Sequence, residues 1–315
     1  MAAADRSAPL RGLVADELAL PVDPRVRGMA AAIAARHDRA ARAVLFYGSC
    51  LRESNLDGLM LDFYLIVSDY AEAFESGWLA FANRLVPPNV FPFEHDGLIA
   101  KYAVLSEADF ARLASSETRN VSVWARFAQP SRLVWVANEI ARRRVIASVA
   151  QAGPALLLAA RAMVDDIVDE GALWSAAFAL TYSAELRAER KTRAASVVDS
   201  DPDRYRRFTP AVLLAADLPA QIDAQRRVIF GDALSTEDRM KAARLWAKRR
   251  REGKMLTIVR LAKATTTYAG GIDYLAWKIN RHAAAEIRIR PWQRRWPILG
   301  AISLLPALLV RGAVR

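Results

Sequence analysis

The sequence predicts an α+β protein, in which an α/β domain is followed by a helical domain and then by a basic, apolar C-terminal helix. Three observations lead to this prediction. Short apolar runs bounded by turn residues occur only in the first part of the chain, apolar residues at helical spacing dominate the middle, and a long apolar run flanked by arginines ends it. The expected domains cover residues 1–137, 138–287 and 288–315.

The α/β domain is expected to alternate short strands with turns and helices. In chain order we expect a helix capped by Asp23 that ends near residue 37, strands at residues 43–47 and 60–67, a helix at 70–85, and a hairpin of strands 90–94 and 98–105 around the turn 95–97. Turn chemistry also marks Gly48-Ser49 and residues 54–58.

The rest of the chain reads as helical. Polar breaks such as residues 199–203 separate the expected helices, which cover residues 138–152, 154–165, 172–193 and 236–263. The sequence contains no internal repeat. We therefore expect no further sheet after residue 137.

The charge balance favours an anionic partner. Among 315 residues, 45 Lys and Arg against 34 Asp and Glu give a net charge of +11, which suits nucleic acid, phospholipid or a polyphosphate substrate without choosing among them. Cys50 is the only cysteine, so an intrachain disulfide and a thiolate metal cluster are excluded. Residues 1–20 lack the features of a signal peptide, and we expect a cytoplasmic protein.

The C-terminal segment combines cations, tryptophans and apolar residues. Four arginines (Arg288, Arg290, Arg294 and Arg295) are interleaved with Trp292 and Trp296, and the apolar run 297–310 follows. That run is shorter than the roughly 20 residues that cross a bilayer. We expect no transmembrane span but a helix lying on the inner face of the membrane. The alternative is a helix packed on the protein or on a second subunit.

Gly48, Ser49 and Asp62 form the pattern that carries chemistry. Nucleotidyl transfer needs a turn that approaches a triphosphate closely and carboxylates that hold a metal ion against its phosphates. Gly48 permits the approach, and Ser49 offers a hydroxyl and a backbone N–H. Asp62 lies thirteen residues after Ser49 on the next strand, a spacing typical of the nucleotidyltransferase superfamily. The alternative for Asp62 is a strand-end aspartate bound by backbone N–H groups.

The usual second acid on that strand is missing. Side chains alternate along a strand, so the metal-facing neighbours of Asp62 would be Met60 and Tyr64. Either the domain is an inactive relative, or other carboxylates complete a metal site. The candidates for that role are Asp57, Glu94 and Glu185.

Several motifs in matching order resemble the mitochondrial-type phosphatidate cytidylyltransferase family. They are Tyr47-Gly48-Ser49, Met60-Leu61-Asp62-Phe63, Lys101-Tyr102-Ala103-Val104, Trp124-Ala125-Arg126-Phe127 and the segment 180–187, Leu-Thr-Tyr-Ser-Ala-Glu-Leu-Arg. That family also has a single aspartate in its Met-hydrophobic-Asp-Phe strand. The match covers roughly residues 45–200, with Cys50 and Ala103 at positions where the family has glycine and Glu185 where it has aspartate.

The resemblance implies a role for each matching residue. It implies CTP and phosphatidate as substrates and Mg²⁺ (or Mn²⁺) as the metal, held by Asp62 with Glu94 and Glu185. The implied catalytic residues are Asp62, Lys101, Glu185 and Arg187. The implied nucleotide-binding residues are Tyr47, Gly48, Ser49, Tyr102, Arg126, Tyr182 and Lys191.

Other interpretations of the same residues remain open. Lys101 is alternatively a surface lysine on a hairpin, and the charges at 185–191 are alternatively ordinary helical ion pairs. The protein could be a nucleotidyltransferase that acts on a soluble acceptor, or an inactive nucleotide-binding or nucleic-acid-binding module. No specific nucleic acid is expected, because the sequence lacks an aromatic-interleaved basic stripe of a recognised nucleic-acid-binding type.

Overall fold

Five strands form the central sheet of the protein. In a computed structural model, residues 5–53, 55–185, 197–267 and 289–291 are described. The strands are β1 (Ala41–Tyr47), β2 (Met60–Val67), β3 (Asn89–His95), β4 (Leu98–Ser106) and β5 (Ser131–Val136). Their order across the sheet is β3-β4-β2-β1-β5, and the sheet is mixed. With the helices around it, the protein is an α+β fold, as predicted.

The register of the three strands β4, β2 and β1 brings residues of three sequence motifs together. β2 pairs with β1 in the antiparallel sense and with β4 in the parallel sense. Tyr47 is the partner of Asp62 in the first pair, and Lys101 is its partner in the second. Motifs that are far apart in sequence therefore meet in one row across the sheet.

Helices precede, connect and follow the strands. Their bounds are α1 (Ala8–Leu18), α2 (Pro24–Ala35), α3 (Tyr70–Ala73), α4 (Gly77–Leu85), α5 (Glu107–Ala114), α6 (Ser122–Phe127), α7 (Glu139–Ala150), α8 (Ala152–Ala160), α9 (Glu170–Ala184), α10 (Pro202–Ala215) and α11 (Thr236–Thr267). Side-chain caps start several of them. Asp23 accepts from the Arg25 N–H at 2.8 Å, which confirms the predicted cap of α2.

A second, small sheet lies beyond residue 137, so the expectation of an entirely helical remainder is wrong. Its strands are β6 (Ile167–Asp169), β7 (Ala220–Ile222) and β8 (Arg227–Phe230), paired antiparallel in the order β6-β8-β7. Each strand has only three or four residues. Runs this short show no period-2 pattern that a sequence reading could detect.

Other elements refine the prediction. The expected helix 70–85 is two helices, since Phe74 adopts an extended backbone between α3 and α4. The predicted hairpin is confirmed, with Asp96 and Gly97 both at positive φ in its turn. Strand β5 and helices α1, α5, α6 and α10 were not predicted. Helix α9 begins near the expected position, and residues 186–196 lie outside the described part of the chain.

The two faces of the sheet bury separate clusters. On one face Phe46 and Phe63 pack with α2. On the other face Tyr64 and Leu45 share a cluster with Trp174 of α9 and with residues of α7, α8, α10 and α11. One core thus crosses the boundary expected at residue 137. The helical part of the chain closes one face of the sheet.

A single described helical stretch, Glu139–Met163, is long and apolar enough to cross a membrane, and 61% of its apolar window is buried inside the protein. It packs in the shared core, as an internal helix does. Of the predicted C-terminal segment 288–315, only residues 289–291 are described, so the apolar run 297–310 lies outside the described residues.

Candidate active site

The Gly48 turn brings the backbone against the Asp62 carboxylate. β1 ends at Tyr47, and Gly48 then adopts φ +96°, a conformation that glycine reaches without strain. A methyl group added at Gly48 would lie 3.5 Å from Asp62 Oδ2. Ser49 follows at the start of a short 3₁₀ turn, half-buried. The turn and the strand therefore enclose one small polar space.

Lys101 pairs with Asp62 across the parallel strands. Its Nζ lies 3.1 Å from Asp62 Oδ1, and the two side chains are 33% and 24% exposed. Because Asp62 and Lys101 are register partners, their side chains emerge on the same face of the sheet. Strand pairing thus positions the Asp62–Lys101 ion pair, and both side chains remain exposed enough for a ligand to contact them.

A second set of charges lies beside this pair. Arg126, near the end of α6, has its Nη1 3.6 Å from Glu185 Oε1, and Glu185 also accepts a hydrogen bond from the Ser122 hydroxyl. The Glu185 side chain is only 8% exposed. Its carboxylate is thus already bound to a hydroxyl and a guanidinium.

Arg126 connects the two sets electrostatically. Burial by itself would lower its pKa, but Tyr64, Glu185, Tyr47 and Asp62 together raise it. Burial, followed by Asp62 and Tyr64, holds the pKa of the Tyr47 hydroxyl well above its usual value. The Tyr47 hydroxyl is therefore neutral and acts as a hydrogen-bonding group, whereas Arg126 carries a permanent positive charge.

Helix α11 adds two cations that the sequence analysis did not identify. Arg260 donates from Nε and Nη2 to the Pro87 carbonyl at 2.9 and 2.6 Å, and from Nη1 to Ser122 Oγ at 2.8 Å. Lys263 donates to the carbonyls of Val86 and Pro88. These residues follow the run Lys248-Arg249-Arg250-Arg251 of α11 in sequence, and no motif distinguishes them. Only the folded chain brings them near Ser122.

The charge of this region is positive. Lys101 pairs with Asp62, and Arg126 and Arg260 both interact electrostatically with Glu185, so three cations stand against two carboxylates. Burial and the neighbouring Arg126 act to lower the pKa of Arg260. A partly desolvated excess of cations of this kind suits a polyanion.

Three of the residues implied by the resemblance lie elsewhere. Tyr102 points to the opposite face of the sheet, is 3% exposed, and lies 3.2 Å from His37 Nε2 through its hydroxyl, so it does not meet Asp62. Tyr182 is half-buried and packs against the core of the helical part. Glu94 is exposed on the edge strand β3, opposite Ile99. Arg187 and Lys191 lie outside the described residues.

The acids expected to bind metal do not converge. Within residues 5–53, 55–185, 197–267 and 289–291, no three His, Cys, Asp or Glu side chains are arranged to hold a metal ion, so the predicted group of Asp62, Glu94 and Glu185 is not assembled there. Asp62 Oδ1 is nonetheless buried, and its 3.1 Å contact with the Lys101 ammonium lacks hydrogen-bond geometry. Mg²⁺ commonly binds one or two carboxylates and completes its shell with substrate phosphates and water. Asp62 fits that mode of binding.

Comparison with known proteins identifies no relative, since neither a protein-family model nor a curated protein matches the chain.

Proposed function

We propose that the protein is a metal-assisted nucleotidyltransferase that transfers a cytidylyl group from CTP to phosphatidate, yielding CDP-diacylglycerol and pyrophosphate. One observation carries the nucleotidyltransferase part of the proposal: the Asp62 carboxylate lies between the Gly48 turn and the Lys101 ammonium, 3.1 Å from the latter. The choice of CTP and phosphatidate rests on the resemblance of the motifs around these residues.

In the proposed reaction, a phosphate oxygen of phosphatidate forms a bond to the α-phosphorus of CTP. The bond from that phosphorus to the bridging oxygen of pyrophosphate breaks, and pyrophosphate leaves with the electron pair. A phosphomonoester has a second pKa of about 6, so the attacking oxygen is largely ionised at neutral pH. No histidine base is required for this step.

The residues of the chain have complementary roles in this reaction. Gly48 allows the triphosphate to approach the backbone, and Ser49 can donate to a phosphate oxygen. Lys101 and Arg126 offset the negative charge that shifts toward pyrophosphate. Asp62 would hold Mg²⁺, which supplies Lewis-acid stabilisation to the phosphates when bound.

Access to phosphatidate requires contact with a membrane. The arginine- and tryptophan-containing segment 288–315 is suited to the interface of an anionic bilayer, and the net charge of +11 favours the same surface. Peripheral attachment to the inner face of the membrane is therefore part of the proposal.

The decisive measurement is pyrophosphate release from CTP. The wild-type protein should release pyrophosphate with phosphatidate and Mg²⁺, and Asp62→Asn should lose about 100-fold or more in rate, since it removes the carboxylate that the proposal assigns to the metal. Asp203→Asn is the matched control, because Asp203 is an exposed partner of Arg206 on helix α10. Equal rates in the wild type and Asp62→Asn would refute the proposal.

The same assay separates the alternatives. Release with water-soluble acceptors but not with phosphatidate would identify a nucleotidyltransferase of another acceptor class. Salt-sensitive binding of DNA or RNA without any pyrophosphate release would favour a nucleic-acid-binding module.

A further inference from the structure

Helix α4 carries an exposed apolar stripe. Trp78, Phe81 and Leu85 follow one another at spacings of three and four residues and so lie on one face of the helix. They are 56%, 57% and 70% exposed, and the rings of Trp78 and Phe81 lie 6.0 Å apart. Large apolar side chains that are exposed as a contiguous group mark an interaction surface for a protein, a ligand or a membrane.

The opposite face of α4 fixes the stripe in its outward orientation. Ala80, Ala82 and Asn83 are buried, and Asn83 Nδ2 donates to the Val104 carbonyl of β4 at 2.9 Å. The Asn83 side chain also accepts from the Asn89 N–H at the start of β3. Rotation of α4 to bury Trp78 would break these buried hydrogen bonds, so the exposed face is its stable one.

Cations surround the end of the stripe. Arg84 is the only charged residue in α4, and its pairing with Asp69 leaves more than half of its side chain exposed. Directly after α4, the carbonyls of residues 86–88 accept from Arg260 and Lys263 of α11, and Arg260 also reaches Ser122 at the candidate site. The stripe therefore adjoins the cationic side of that site.

We propose that the α4 stripe, formed by Trp78, Phe81 and Leu85, docks on the surface of an anionic phospholipid bilayer. This inference rests on the proposed function, because phosphatidate lies in such a surface. Tryptophan and phenylalanine partition to the headgroup boundary, leucine enters the acyl region, and the net charge of +11 is complementary to anionic lipid. The apolar side chains of α4 suit the acyl region of the bilayer. Because α4 contains no acidic residue, anionic headgroups do not repel it.

The docked orientation explains the arrangement of the neighbouring cations. With the stripe in the bilayer, the turn at residues 86–88 lies at the depth of the headgroups, and Arg260 lies between that turn and Ser122. A lipid phosphate would then have a cationic route from the bilayer to the site of Asp62 and Arg126.

Vesicle binding by the full-length chain tests this proposal. The wild type and the triple variant Trp78→Ala, Phe81→Ala, Leu85→Ala are compared by cosedimentation with vesicles of phosphatidylcholine mixed with phosphatidylglycerol. The triple variant should bind about 1,000-fold more weakly, since each of the three deleted side chains removes about tenfold in partitioning. A matched triple, Leu20→Ala, Ile140→Ala and Leu214→Ala, replaces side chains of similar exposure and should bind as the wild type does.

A second variant distinguishes a loss of docking from a loss of the fold. Phe81→Glu keeps the buried face of α4 intact and places a negative charge in the stripe, so it should weaken binding to the mixed vesicles more than to phosphatidylcholine alone. Thermal unfolding of each variant should match that of the wild type.

Two results would overturn the docking proposal. One is unchanged vesicle binding in both the triple variant and Phe81→Glu. The other is a wild-type dimer that becomes a monomer in the triple variant by light scattering, which would make the stripe a contact between two copies. Neither measurement uses CTP, so vesicle binding without pyrophosphate release would instead refute the enzymatic proposal alone.

Discussion

At the scale of single residues, the candidate site depends on how closely Gly48 and Asp62 approach each other. Gly48 has φ +96° and its backbone borders the Asp62 carboxylate, while Lys101 neutralises part of that carboxylate's charge from the other side. A buried acid in an apolar strand is costly without such a partner. The Gly48 turn and Lys101 therefore border the Asp62 carboxylate from two sides, at the position where we propose that a phosphate binds.

Two glycine substitutions separate the effect of backbone strain at positive φ from the effect of a methyl group placed beside Asp62. Gly48→Ala introduces strain at positive φ and places a methyl group 3.5 Å from Asp62 Oδ2, in the space proposed for a phosphate. We expect pyrophosphate release to fall by about tenfold to a hundredfold, because misplacement of reacting groups is costly. Gly58→Ala is the control, since Gly58 has φ +73° with nothing within 4 Å of the added methyl. Both variants should lose roughly 1 kcal/mol of stability, and equal activity in the two would contradict the assignment.

At the scale of elements, α11 connects the turn at residues 86–88 with the candidate site through hydrogen bonds. Arg260 holds the Pro87 carbonyl and Ser122, Ser122 holds Glu185, and Glu185 is paired with Arg126. This chain of contacts connects three elements that are far apart in sequence. We infer that α11 positions Arg126 through Ser122 and Glu185.

Lys263, half-buried near the end of α11, should make stability depend on pH. Burial, followed by the charge of Arg260, lowers the pKa of Lys263 to about 7. Between that pH and its ordinary pKa near 10.5, the unfolded chain binds a proton that the folded chain has released. The free energy of unfolding should therefore rise with pH in this window, and below it the cost of the buried charge is fully present.

Lys263→Met should remove this contribution, which is measured as the slope of unfolding free energy against pH in denaturant titrations. Lys254→Met, an exposed lysine on the same helix, should keep the wild-type slope. A wild-type slope in Lys263→Met would show that Lys263 keeps an ordinary pKa.

At the scale of the whole molecule, the sheet and the helices form one unit. The shared core joins Tyr64 of the sheet to Trp174 of α9. A buried ion pair adds a polar link, in which Arg204 of α10 binds both carboxylate oxygens of Glu17 in α1 and donates to the Ala128 carbonyl at 3.0 Å. The N-terminal helix is thereby tied to the helical part of the chain.

Breaking this pair should destabilise the entire protein. Glu17→Gln leaves the buried Arg204 guanidinium without a counter-charge, and we expect a loss of about 3–5 kcal/mol. Asp203→Asn removes the partner of Arg206 in an exposed pair on the same helix α10 and should cost at most about 1 kcal/mol. Chemical denaturation measures the free energy of unfolding of both variants. Similar losses would show that the buried pair contributes no more to stability than the exposed pair.

The proposed membrane attachment also concerns the whole molecule. Removal of residues 297–315 deletes the apolar run together with Arg311 and Arg315. Under the proposed function, activity should fall more on phosphatidate vesicles than on detergent-dispersed phosphatidate, because only vesicles require docking. Equal losses in the two assays would remove this segment from the docking mechanism.

The sequence by itself determined the α+β class, strand β2, the Asp23 cap, and the hairpin of β3 and β4, because apolar periodicity and turn chemistry are local signals. It also selected the turn at Gly48 and the strand residues Asp62 and Lys101, which strand pairing then brought together.

Only the tertiary structure decided the rest. The short strands of the second sheet depend on long-range pairing, Tyr102 falls on the opposite face because side chains alternate along β4, and Arg260 reaches Ser122 from a helix far along the chain. Contacts of this kind leave no local pattern, since what brings the residues together is the path of the backbone between them.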